Sequence, residues 1–529
     1  MDTTLADLHT ADRGFLTWLA TTAGAAPEDL WDQLRPTVAH GRLVALDLSG
    51  LGPTIRRRLG AHRALSPPIS GLDALRHLDC SGLQIDRLEL SQMPELRVLR
   101  CADNLLRGLE LEGAPGLVEL DCSGNQLMVL DLRGHGKLAS LSCGGNGLGL
   151  LALPEGGALR RLDCARNQLM VLALGRQPHL EQLRCFHNAL VQLSITEAPA
   201  LTLLDASDNE LSHLQLPELP ALVDLCLDRN RLDALSTVGV PSLSVLRCSS
   251  NYLSELELQG VPGLVRLAVD HNQLLELPTA ELSQLVELEV SHNRLSELEL
   301  EPLCALEVLI CGHNELSSLE LSRARSLALL DCEHNALSSL ELASLSRLVE
   351  LRCRGNPVEG LDLRPLPGLC RLSVDPDVPV TATPIQRRLL LGARPQPGGP
   401  GGSCSVGLHR LATSLQGLEA AARLRWIVSH PACDLGTALM IYWTNAPHYY
   451  LRYSSRAELA PYEVEAWDLL RTIEDRVRAA GFASRQIPFD PRCDRQTRSI
   501  RGVDWTQGRS SPGGRAVPAF MIRACRPTS

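Results

Sequence analysis

The chain is dominated by a hydrophobic pattern that recurs every 21 residues. Written as L-x-x-L-x-C-x-x-N-x-L-x-x-L-x-L plus five variable positions, it places Cys80, Cys101, Cys122, Cys143, Cys164 and Cys185 in one column. The column continues through Ala206, Leu227, Cys248, Val269, Val290, Cys311, Cys332, Cys353 and Val374 without an insertion, giving fifteen registers. Three positions further on, asparagine fills thirteen successive registers from Asn104 to Asn356. In residues 119–123, apolar Leu120 and Cys122 alternate with Glu119, Asp121 and Ser123, the period-two signature of a strand with one buried side. One such strand cannot bury its own apolar side, so successive units must stack.

The column residues read as structural. Cysteine shares its slot with Ala206, Val269 and Val290, so the thiol acts as a small hydrophobe. An asparagine amide can bond backbone groups of its own and the next turn, which predicts an internal ladder. Together these motifs resemble the leucine-rich repeat over residues 43–377. The second half of each unit, as in Leu127, Leu130 and Leu132, leaves no room for a long helix, and in this the units are similar to bacterial internalin-like repeats. The resemblance implies an α/β solenoid: an arc with a parallel β-sheet on its concave face and an extended or 3₁₀ convex face.

The ends of the repeat set the expected domains. In residues 1–42, Phe15, Leu16, Trp18 and Leu19 precede Pro27, Glu28, Asp29, Leu30 and Trp31, which reads as a helical cap on the stack. An irregular first strand is expected at residues 43–48, and the off-period insertion containing Arg56, Arg57 and Arg58 reads as a solvated loop. Residues 378–403, with Pro395, Pro397 and Pro400 among glycines, read as a flexible linker. Residues 404–529 then form a small, mainly α-helical C-terminal domain with its own core.

Composition separates these parts further. The net charge is −10, from 51 Lys+Arg and 61 Asp+Glu. From Ser403 onward there are 17 Arg against 11 Asp+Glu, so the acidic excess lies in the repeats. Of 17 aromatic residues, 12 lie beyond residue 403, and between Trp31 and Trp426 only Phe186 and Tyr252 occur. Such a balance gives no reason to expect nucleic acid as a partner. The single lysine, Lys137, lacks the spacing and the Ser/Thr of a P-loop, so a Walker phosphate site or Schiff-base chemistry has almost no candidate residue. No apolar run reaches the roughly 18 residues of a membrane span. The 17 cysteines are explained by their column, and stacked thiols favour a reducing compartment. A cytoplasmic monomer without a cofactor is expected.

The C-terminal part holds the residues closest to a catalytic set. Around residues 415–491 the stretch Cys433-Asp434-Leu-Gly-Thr-Ala resembles an uncharacterised bacterial domain family and implies a helical domain without assigned chemistry. His430, Cys433 and Asp434 together have the composition of a nucleophile with its base. Asp434 before Gly436-Thr437 equally has the form of a helix N-cap. Bacterial effector ubiquitin ligases resemble the layout of repeats followed by a cysteine domain, but their Cys-x-Asp is here Cys433-Asp434 without the spacer.

The stacked strands also expose columns. One runs Asp79, Arg100, Asp121, Ser142, Asp163, Arg184, Asp205, Cys226, Arg247, and its alternating signs are expected to pair across neighbouring strands. The next holds Ser81, Ala102, Ser123, Gly144 and Ala165, then Phe186, a ring without a packing role in a leucine core. A third holds His271, His292, His313 and His334, either a metal-binding or proton-sensitive stripe or simply an exposed turn before asparagine. The expected function is protein binding through this surface, with Phe186 as anchor and Arg184, Asp205 and Arg247 orienting the partner. The alternative is an effector or toxin/immunity-type protein whose C-terminal domain is enzymatic.

Overall fold

The computed structural model describes residues 5–59, 64–69, 71–390 and 464–478, and the single positions Leu424, Val428, Ala438 and Ile441. Two compact units are present, Met1–Leu282 and Ser283–Ser529.

The first unit opens with α1 (Thr10–Ala23) and α2 (Pro27–Leu34). Helix α1 buries Phe15, Leu16, Leu19, Ala20 and Ala23, and ends on Gly24, whose left-handed φ of 76° lets its N–H reach the Ala20 carbonyl. Helix α2 starts on Pro27 with Glu28 and Asp29 in its first turn, as anticipated. The cap is not purely helical, because a hairpin follows: β1 (Thr37–Ala39) pairs antiparallel with β2 (Arg42–Asp47). Its two-residue turn, His40-Gly41, has both φ angles positive, the geometry of a tight hairpin. Buried Asp12 ties α1 to this hairpin by accepting from Arg42 Nε at 3.1 Å and from the Leu43 backbone N–H at 2.6 Å. The arginine-bearing insertion is helix α3 (Gly52–Leu59), not the expected loop; Pro53 sits in its first turn and buried Ile55 anchors it.

Ten three-residue strands follow in this unit, from His77–Asp79 to Arg266–Ala268. Each pairs in parallel with the next, and every residue faces its counterpart 21 positions on, as Leu78 faces Leu99 and Leu120 faces Leu141. The strand ahead, β2, joins the same ladder, with Leu46 opposite Leu78. The central leucine of each strand and the residue of the cysteine column are buried beneath the sheet, while the flanking residues look the other way. On the opposite flank the chain is extended, with short parallel pairs such as Val129–Asp131 against Leu150–Ala152 and Ala234–Ser236 against Glu255–Glu257. The absence of long outer helices is as the repeat length requires.

The asparagines form the expected ladder, although they reach back to the preceding coil. Asn125 Nδ2 donates to the carbonyls of Cys122 and Ser123 in its own coil and of Cys101 one coil earlier, at 3.0, 3.2 and 3.0 Å. Its Oδ1 accepts the Leu106 backbone N–H at 3.0 Å. Each of the thirteen asparagines follows a residue with φ between 52° and 72°, so the chain leaves every strand through a left-handed step.

The second unit repeats this construction with strands Glu287–Glu289, Val308–Ile310, Leu329–Asp331, Glu350–Arg352 and Arg371–Ser373. Regular structure does not stop at residue 377. A short strand, Val380–Thr381, pairs with Leu361–Asp362, and helix α4 (Pro384–Leu390) follows, so the linker does not start at 378. Thr383 and Gln386 form a reciprocal capping box at the start of α4. The Gln386 amide donates onward to the Leu363 and Leu366 carbonyls, closing the last coil. Further along, helix α5 (Val464–Arg478) buries Leu469, Leu470 and Ile473. Residues 391–423 and 479–529 lie outside the described residues.

Burial pushes the column thiols up, Cys122 and Cys353 to about 12. The remaining described cysteine of the last coil, Cys370, is disulfide-bonded, so full reduction holds for the column but not for this residue.

Two expected outcomes follow from this packing. Asn230→Ala removes an amide that donates to Ala206, Leu227 and Asp228 and accepts from Leu211. It should lower stability in urea unfolding by on the order of 3 kcal/mol, since stranded buried polar groups cost about 1–3 kcal/mol each; a loss below about 1 kcal/mol would refute the ladder's role. A thiol at about 12 is thiolate only about once in ten thousand at pH 8. Native alkylation should therefore modify exposed Cys304 and spare Cys122 until the chain unfolds.

Candidate functional site

The outward positions of the first unit's sheet carry the predicted binding residues, and the geometry divides them. The ring of Phe186 is half-buried and stands beside buried Ala165. The guanidinium of Arg166, one coil earlier, lies 5.9 Å from the ring centroid, within cation–π range. Arg166 was not anticipated from sequence, although its place in the turn column next to the phenylalanine column carried the signal.

Arg184, on the strand Gln182–Arg184, is exposed and faces Asp163 and Asp205 on its neighbours. It makes no ion pair among the described residues, because the aspartates are used locally. Asp205 Oδ1 accepts from the Ser207 N–H at 3.2 Å and the Ser207 hydroxyl at 2.6 Å. Asp79, Asp121 and Asp163 cap the backbone two residues on in the same way. Expected alternate-sign pairing within this column therefore fails at these positions: an aspartate short enough to cap its own turn does so. Burial also pushes the Asp163 carboxyl up, an effect opposed by its backbone hydrogen bond and by Arg184. Arg100 pairs instead with Glu119, at 2.6 Å. Arg247, predicted to orient a partner, is engaged by Asp224 at 2.8 Å and belongs to the internal network of the sheet.

The histidine column is explained by the backbone. His271, His292, His313 and His334 have φ of 54–55°, and the same left-handed position holds Asp103, Gly124, Gly145, Arg166, His187, Asp208, Arg229 and Ser250 in other coils. Asp, His and Gly, which adopt this conformation at least cost, predominate among them. In the second unit the rings of His292 and His313 stack with centroids 4.1 Å apart, and those of His313 and His334 at 4.4 Å. Among the described residues no group of three or more His, Cys, Asp or Glu is placed to hold a metal ion. His187 belongs to the column as well and was overlooked in sequence, because it stands apart from the run of four.

Another surface was missed entirely. On the flank opposite the sheet, Met128, Val129, Leu150, Met170, Val171 and Val191 are exposed, Met128 at 70% and Met170 at 60%. Equivalent positions elsewhere hold Ser254, Glu255, Ser296 and Glu297. His430, Cys433 and Asp434 lie outside the described residues. Among the described residues no helix is long and apolar enough to cross a membrane.

Stacked 21-residue coils, a parallel sheet with one strand per coil and an asparagine ladder make a parallel-sheet solenoid like that of leucine-rich repeat proteins. Toward its C-terminus, residues 419–478 match a family described as a domain of unknown function, DUF4274. The chain is similar to the functional domain of InlJ from Listeria monocytogenes, described as including a cysteine ladder: 22% identity and a TM-score of 0.48 over 61% of this chain and 71% of that one. It is also similar to YopM, a leucine-rich effector protein from Yersinia pestis, with 26% identity and a TM-score of 0.46 over 64% and 88% of the two chains. An internalin, InlF of Listeria monocytogenes, shares 18% identity with a TM-score of 0.41 over 57% and 88%. No curated protein matches the chain.

If the histidine column serves the backbone, His313→Gly should stay within about 1 kcal/mol of the parent in thermal unfolding, whereas His313→Val should lose about 1–2 kcal/mol. Equal losses for both would assign the stability to the stacked imidazoles instead.

Proposed function

We propose that the chain is a protein-binding scaffold, and that the sheet face of the first unit recognises its partner around Phe186. The carrying observation is a half-buried ring with a cation over it, set in a column otherwise small and polar. Small neighbours leave the backbone approachable, and a rigid aromatic anchored by its surroundings is the residue type on which binding energy concentrates. Arg184 lies one strand position away, exposed, with its guanidinium uncommitted among the described residues. An apolar pocket flanked by a carboxylate on the partner is the complementary surface. Asp205 caps its own turn through Ser207 and so shapes the sheet beside Arg184.

The reading needs no catalytic group. The effector or toxin/immunity alternative rests on Cys433 and its neighbours and gains no support from the described residues.

Affinity capture with the intact protein from its own host identifies the partner. Phe186→Ala should then weaken binding roughly thirtyfold, about 2 kcal/mol, and Arg184→Ala less. If Met170→Asp abolishes binding while Phe186→Ala leaves it intact, the opposite flank is the recognition surface and this reading falls.

A further inference from the structure

The exposed apolar flank of the first unit has an internal order that its own coils do not require. In residues 126–131 and their equivalents 147–152, 168–173 and 189–194 a single charge occurs, Asp131, whereas residues 84–89 alone hold Asp86, Arg87 and Glu89. Met128, Val129, Leu150, Met170, Val171 and Val191 are between 45% and 70% exposed. Together they present on the order of 500 Å² of apolar surface, near the upper end of what a monomer leaves bare.

Along the stack, one column of this flank reads Met128, Gly149, Met170, Val191, so a gap separates two exposed methionines. Nothing in the coil calls for glycine at 149. Its φ is not in the left-handed range, and a Cβ there would have no other atom within 4 Å. Gly149 is therefore an open notch, one coil from a methionine on either side. The adjacent column reads Val129, Leu150, Val171, Gln192. The short strands on which the flank is built, Val129–Asp131 against Leu150–Ala152 and Val171–Ala173 against Gln192–Ser194, hold both columns in register.

We propose that this flank pairs with the same flank of a second copy, around a two-fold axis that runs along the strands between the coils of Gly149 and Met170. Such an axis reverses the order of the coils and leaves each column facing itself. Met170 of one copy then enters the Gly149 notch of the other, and the reverse, while Met128 meets Val191. In the adjacent column Leu150 meets Val171 and Val129 meets Gln192. Large residues thus fall on small ones, as close packing demands, and the adaptable methionine side chain fills what gap remains. Asp131 falls opposite Ser194, a hydroxyl donor, and not opposite its own copy, so the pairing sets no like charges against each other. The six apolar residues of both copies together bury on the order of 1,000 Å², and the surrounding polar positions bring the contact to the roughly 1,200 Å² of the smaller specific interfaces. The monomer expected from sequence is replaced by a symmetric pair. Because the flank lies away from the sheet, each copy keeps its Phe186 face open, and the pair offers two recognition surfaces at once.

Sedimentation of the full-length protein over a dilution series tests this, and with no partner present the result does not depend on what the sheet face binds. A monomer–dimer equilibrium is expected. Met170→Asp sets a charge in the apolar face and Gly149→Gln fills the notch; each should raise the dissociation constant at least about tenfold. Both positions are exposed, so the circular dichroism spectrum of each variant should match that of the parent. A monomer at every concentration would overturn the pairing. A dimer that either variant leaves at the parent's affinity would place the contact on another face or in another register and overturn it as well. Species that grow beyond two copies would mark a head-to-tail contact, with the same consequence.

Discussion

The structure depends on one hydrogen-bonding arrangement, the asparagine amide between consecutive coils. Each coil must leave its strand by a left-handed step, which turns backbone carbonyls and N–H groups into an interior otherwise filled with leucine. Left unpaired, those groups would cost more than the small apolar gain of a three-residue strand. The amide satisfies carbonyls of two coils and an N–H of one, so it fixes the turn and the spacing between turns together. The fixed spacing makes the outward residues fall into columns. The thiols belong to the same logic, filling the slot next to the asparagine that Ala206, Leu227 and Val269 fill in other coils.

Columns explain both what the surface is and what it is not. At the left-handed step histidine, aspartate and glycine are favoured, and the histidines collect there for that reason. At the next position small residues predominate, and against them a single phenylalanine stands out as a feature with no internal purpose. Aspartates that looked like members of a charge ladder are turned inward to their own backbone, which frees Arg184 and leaves Arg247 to Asp224.

Much of the fold was legible because its signals are periodic. Fifteen registers, the buried thiols, the asparagine ladder and the capping helices all follow from spacing and residue type. What escaped was aperiodic or decided by rotamer. His40-Gly41 made a hairpin that a single apolar run did not reveal, and Gly52–Leu59 formed a helix because Ile55 found a place against the cap. Thr383 and Gln386 closed the last coil with a capping box inside a stretch that composition marked as linker. For the candidate site, Phe186 was visible by its rarity, whereas the guanidinium above it belongs to a residue twenty positions earlier and is brought there only by stacking. The exposed methionines and valines of the opposite flank carry leucine-like chemistry and were absorbed into the repeat pattern.

Native-state hydrogen exchange tests the central claim most directly. If the amide ladder holds the stack, the N–H groups of Leu106, Leu127, Leu148 and Leu169, each accepted by an asparagine oxygen of the following coil, should exchange as slowly as the strand amides of Leu120 and Leu141. Exchange as fast as that of the exposed flank turns would show that the coils are held by leucine packing alone.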